Sequence, residues 1–140
     1  MIAIAEKNIA DLLTQVFHHT SQHKAVVVFD TNCELARTLT DAYRHCLPDA
    51  KFVDFATHTP DAVLGIFAAL EASDLVVLVQ STNFRLEAFR IRVELFKRGL
   101  KVIEHLHLVR MQGAEVSYYI DALAYDAAYF RDTGHGLKAI

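Results

Sequence analysis

The stretch from Ser73 to Val102 constrains this chain more than any other. It opens on an apolar run, Leu75–Val79, whose residues are leucine and valine only. A polar turn follows, Gln80-Ser81-Thr82-Asn83, then a helix-periodic segment over 83–98, then Gly99 and the start of a second apolar run. A short apolar run rich in β-branched residues suits a strand buried on both faces, as in a parallel sheet. Parallel strands need a crossover between them, usually a helix. The stretch therefore reads as half of a parallel α/β unit.

The same grammar repeats upstream. Residues 2–19 read as an amphipathic helix with Ile2, Ala5, Ile9, Leu12, Leu13, Val16 and Phe17 at helical spacing. A polar loop, 20–24, leads to Ala25–Phe29 (AVVVF), a buried parallel strand ending at Asp30. Thr31 and Glu34 form a capping-box pattern that starts a helix, with Leu35, Leu39, Ala42 and Cys46 on its apolar side. Residues 51–55 alternate and carry Asp54, which predicts an edge or near-edge strand. Thr59-Pro60 marks another helix start, with Val63, Ile66, Phe67 and Leu70 as its buried stripe. A fourth strand begins over 101–104, and a tyrosine-rich helix is expected over 116–130. Strands alternating with helices give a three-layer α/β domain spanning 1–140, an open parallel sheet with helices on both faces. With right-handed crossovers, the expected arrangement is flavodoxin-like, strand order 2-1-3-4.

Composition narrows the classes. A length of 140 residues suffices for one domain with a real core. A net charge of −3 predicts no nucleic-acid partner. No apolar run reaches the ~18–20 residues of a membrane span, so no membrane partner is expected. The early acids of the N-terminus do not fit a secretory signal. Cys33 and Cys46 are too few for a disulfide framework, so a reduced cytoplasmic setting is expected. The apolar share, 53%, is high and hints at surface covered by a partner.

In open α/β sheets ligands sit beyond the carboxyl ends of strands, at the switch in strand order. Asp30-Thr31-Asn32 and Ser81-Thr82-Asn83 occupy that place. One reading makes them a clamp for a small polar or anionic ligand at two helix N-termini. The other makes Thr31, Asn32, Ser81 and Asn83 helix caps. The Gly-rich turn of a dinucleotide site or P-loop is absent from the first strand-helix junction. The acidic pair and acceptor Asp of a phospho-receiver are also missing, since Asp30 stands alone and Ser81 fills the second place. Cys33 lacks a phosphatase loop around it and reads as a small, partly buried residue. His105 and His107 alternate on an extended segment and are weak candidates for a shared metal. The tyrosines of the last helix read as an amphipathic cover over the sheet.

The helix over 83–98 has two apolar faces. Phe84, Ala88, Ile91 and Leu95 form one, and Leu86, Phe89, Val93 and Phe96 form the other. One face packs on the sheet. The second is covered either by neighbouring helices of its layer or by a partner, which makes Leu86, Phe89, Val93 and Phe96 the candidate interface.

From Lys24 onward the chain resembles the N-terminal domain of aminopeptidase T-like proteins, the leucyl aminopeptidase class of two-metal exopeptidases. The runs AVVVFDTNCELARTLTDAYRHCLPDAKFVDF and ALEASDLVVLVQSTNFRLEAFRIRVELFKRGLKVIEH carry the likeness, which covers about three quarters of the chain. Ser81-Thr82, Ala88 with Arg90, and Gly99 match its Thr/Ser-rich turn, Ala-Arg helix and glycine. Asn83-Phe84-Arg85 departs from the Ser/Thr-His-Thr run of some relatives. The resemblance implies that metal ligands and catalytic residues belong to a C-terminal domain that would begin near Ile140. It therefore implies no catalytic residue, metal or cofactor in this chain, and a partner that is either a second copy (a homodimer) or that C-terminal domain.

Overall fold

The structure, a computed structural model, describes residues 2–82 and 99–133. The helix expected over 83–98 lies outside them, and with it Asn83 and the interface candidates Leu86, Phe89, Val93 and Phe96. The elements are α1 (Ile2–Asp11), β1 (Ala25–Phe29), α2 (Glu34–Cys46), β2 (Lys51–Asp54), α3 (Pro60–Ala68), β3 (Leu75–Val79), β4 (Lys101–His105) and α4 (Ala114–Thr133). All strand pairs are parallel, in the order β2-β1-β3-β4. This is the expected open flavodoxin-like sheet. Among the described residues no helix is long and apolar enough to cross a membrane.

The strand runs explain the layers. In β1 and β3 every residue is buried, because alternate side chains enter two different cores. Ala25, Val27, Phe29, Leu75, Val77, Val79 and Ile103 pack with α1, α2 and α4. Val26, Val28, Val53, Val76, Leu78 and Val102 pack with Val63, Phe67 and Leu70 of the α3 region. β2 stands at the edge, as Asp54 suggested. Asp54 turns its carboxylate to the chain, accepting the Ala56 N–H at 3.0 Å. Arg44 lies over the rings of Phe29 and Phe52, 5.1 and 4.5 Å from their centroids, covering apolar surface near that edge.

Three local expectations are corrected. The first helix stops at Asp11 and continues as a π-helical turn over Leu12–Val16, in which the Phe17 N–H reaches the Leu12 carbonyl at 3.1 Å. The capping box does not form. Helix α2 begins at Glu34, with Cys33 at its N-cap in an extended conformation and no side-chain cap bond. The reason lies one turn earlier: Asp30 Oδ1 accepts the Asn32 N–H at 3.2 Å, a local turn that spends residues 30–32 before the helix starts. Third, of the expected tyrosine cover only Tyr119 among the described residues packs against the core, Tyr118 being 70% exposed, and the buried stripe is Val116, Ile120 and Leu123. The side chains of Tyr125 and Tyr129 lie outside the described part. By contrast Thr59 caps α3 as expected, its hydroxyl accepting the Ala62 N–H at 3.1 Å ahead of Pro60.

Candidate functional site

The strand order reverses between β1 and β3, and the structure brings Asp30 and Ser81 together there. Both are buried, at 5% and 1% exposure. The Ser81 N–H donates to Asp30 Oδ2 at 2.8 Å, and the Ser81 hydroxyl donates to Asp30 Oδ1. With the Asn32 N–H also on Oδ1, the carboxylate takes three hydrogen bonds from its own chain. Bonds to a charged acceptor are about twice as strong as neutral ones. The Cys33 sulfur lies 3.1 Å from Ser81 Oγ. Thr31, Asn32 and Thr82 stay exposed around this cluster.

The turn after β3 is equally committed. The carbonyls of Gln80, Ser81 and Thr82 accept the N–H groups of Leu108, Val109 and His107 at 3.1, 3.0 and 3.0 Å. Gln80 donates its own N–H to the His105 carbonyl at 3.0 Å. The loop beyond β4 is therefore zippered onto the turn. Thr31 and Asn32 do not cap α2, and the Asp30 carboxylate takes its hydrogen bonds from its own chain. The cap reading of Thr31 and Asn32 is thereby corrected.

His105 and His107 do not share a face. Strand β4 ends at His105, and His107 takes a left-handed conformation (φ 54°) at the start of a 3-10 turn. That breaks the alternation on which a shared metal rested. His105 is fully buried, with Nε2 2.7 Å from the Tyr43 hydroxyl and Nδ1 2.8 Å from the Tyr119 hydroxyl. A neutral imidazole has one donor and one acceptor nitrogen, so one tyrosine accepts and the other donates. Burial pushes the His105 pKa down to about 3 and raises that of Tyr43 well above its ordinary value. Among the described residues no group of three or more His, Cys, Asp or Glu is placed to hold a metal.

Two cavities lie elsewhere. One of about 700 Å³ opens where β1 and β2 begin, between the loop after α1, the loop after α2 and the end of α3. A second of about 460 Å³ runs beside α1 and meets the first at His19, Cys46 and Leu47. Sequence analysis did not single out His19 or His23 as site residues. The available signal was the density of basic residues over 18–24, a loop that reads as plain surface until the α2–β2 loop is set against it. No protein-family model matches the chain, and no curated protein matches it.

Proposed function

We propose that this chain is a non-catalytic α/β module of a metallopeptidase-like protein, one that shapes a cleft or an assembly. The observation that supports this reading is the mutual bonding of the polar groups at the switch point. Asp30 and Ser81, the polar groups best placed for a ligand, spend their hydrogen bonds on each other. A catalytic carboxylate or hydroxyl must instead reach a substrate atom within hydrogen-bond distance. His105, the one histidine that ends a strand among the described residues, is likewise held between two tyrosines. The resemblance from Lys24 onward points to the class of the parent protein, and the two-faced segment over 83–98 is the surface that would meet either a C-terminal domain or a second copy.

The test is an assay of the 140-residue chain with aminoacyl 4-nitroanilides in the presence of cobalt or zinc, beside the variant Asp30→Ala. The expected result is no turnover in either protein and a stability loss of about 2–3 kcal/mol in the variant, because the two Ser81 groups lose a charged partner. Metal-dependent turnover that disappears in Asp30→Ala without loss of fold would overturn the reading. Sedimentation of the same chain, alone and with candidate catalytic domains, reports whether the partner is a second copy.

A further inference from the structure

The cavity at the amino-terminal edge of the sheet, of about 700 Å³, has a chemistry that is mixed in a specific way. Its apolar floor includes Leu47, Ile66 and Leu70. Around that floor stand His19, His23, Lys24 and Lys51, against a single acid, Asp49, among the described lining residues. Its volume, about 700 Å³, is of the size that small-molecule sites occupy, ~300–1,000 Å³. A mostly apolar pocket with a few convergent polar groups is the usual form of such a site.

His19 marks the polar end. Its ring lines both cavities where they meet, and its Nδ1 is buried with no hydrogen-bond partner among the described residues. Buried polar atoms are paired in the great majority of cases, so an orphan calls for an explanation. The backbone leading to it is unusual. The π-helical turn over Leu12–Val16 ends α1, and His18 then takes φ 50°, a left-handed conformation that costs free energy outside glycine. π-turns and such backbone outliers occur often at functional sites.

We propose that this cavity binds a small organic anion: an aliphatic or aromatic body on the Leu47–Ile66–Leu70 floor, with a carboxylate or phosphate head among His19, His23, Lys24 and Lys51. The field at the head favours negative charge. Burial, His23 and Lys101 all hold the proton off His19, and Asp74 opposes them. Asp74 is buried, with its two oxygens on the Lys24 and Glu71 N–H groups. Lys101 donates to the Phe17 carbonyl, so it adds field at His19 while its own bond is made elsewhere. An anion seated here compensates these cations and raises the His19 pKa. This inference stands apart from the module reading, because none of its residues belongs to the switch point.

The experiment is calorimetric titration of the full 140-residue chain with hexanoate, phenyl phosphate, 1-hexanol and inorganic phosphate. Hexanoate or phenyl phosphate is expected to bind, and which of the two is tighter identifies the head. Hexanol and inorganic phosphate, each lacking one half of the ligand, are expected to bind at least about tenfold more weakly. The double variant Lys24→Met and Lys51→Met alters exposed side chains and so tests the charge without threatening the core. It should weaken the amphiphilic anion by about tenfold or more. The His19 ring, followed by NMR, should titrate at higher pH when the anion is present. Hexanol binding as tightly as hexanoate, inorganic phosphate binding as tightly as phenyl phosphate, unchanged affinity in the lysine variant, or no binding of either amphiphile at about 10 mM each overturns the proposal.

Discussion

The buried His105 should make this domain acid-sensitive by an amount that follows from its surroundings. In the unfolded chain the imidazole binds a proton below its ordinary value of 6.5, and in the folded protein only below about 3. Between those limits the unfolded state binds more protons, so stability falls as pH falls. Each pH unit inside the window is worth about 1.4 kcal/mol. At pH 5 the loss is therefore about 2 kcal/mol relative to neutral pH, a large share of a stability that is typically ~5–15 kcal/mol. For a chain of this size it lowers Tm by about 7 °C. The assay is urea unfolding of the native chain and of His105→Gln at pH 7.5, 6 and 5. The variant is weaker at every pH, because Gln cannot meet both the Tyr43 and Tyr119 hydroxyls in the same geometry. Its pH slope should be shallower by about 2 kcal/mol between pH 7.5 and 5. His19, whose pKa burial also lowers, contributes the same sign to both proteins and drops out of the difference. Parallel slopes, or an His105 ring signal that titrates near 6.5, would refute the reasoning.

Other expected outcomes test the frame. Gly99 sits at φ +76°, and a Cβ there would come 3.3 Å from the Ala72 Cβ, so Gly99→Ala should cost about 1–2 kcal/mol by chemical denaturation. Asp74 accepts the Lys24 N–H at 2.9 Å and the Glu71 N–H at 2.8 Å, and Asp74→Ala should cost about 3 kcal/mol in the same measurement.

Much of the fold was legible because the sheet writes itself into short runs. AVVVF and LVVLV name two central strands, and a strand buried on both faces has little choice but a parallel sheet. Thr59-Pro60 was legible because a capping hydroxyl and a proline at the first helical position act locally. The Thr31–Glu34 box misled because its competitor, the turn made by Asp30 and Asn32, uses the same short polar residues, and the chain can make only one of them. At the switch point the sequence indicated the right pair of segments. It could not show that Asp30 would take its bonds from Ser81, since a carboxylate fifty-one residues upstream reads alike whether its partner is a serine or a ligand. His105 was hidden for a related reason. Its neighbours Tyr43 and Tyr119 come from two helices, and only the folded layer sets them on opposite edges of one ring. The cavity has no motif at all. It arises where two loops and a helix end fail to fill the corner they share.

The two buried aspartates relate these sites to one another. β1 and β3 form the central pair of the sheet, in register from Ala25↔Leu75 to Phe29↔Val79. Asp30 ties their carboxyl ends by accepting from Ser81, and Asp74 ties their amino ends by accepting from Lys24. Each carboxylate satisfies backbone N–H groups just outside the strand ladder, where burial makes an unmet donor expensive. The consequences at the two ends differ. At the carboxyl edge the Asp30 carboxylate is bonded to Asn32 and Ser81, and the loop after β4 is bonded to the turn that follows β3. At the amino edge the Asp74 bonds fix Lys24 and Glu71 but leave the space beside them open, with His19, His23, Lys24 and Lys51 around it. The two proposals thus make separate demands on the two edges, stability at the carboxyl edge and ligand binding at the amino edge. Substitutions at Asp30 and at Lys51 should accordingly separate stability from ligand affinity, the first lowering the unfolding free energy and the second lowering binding alone.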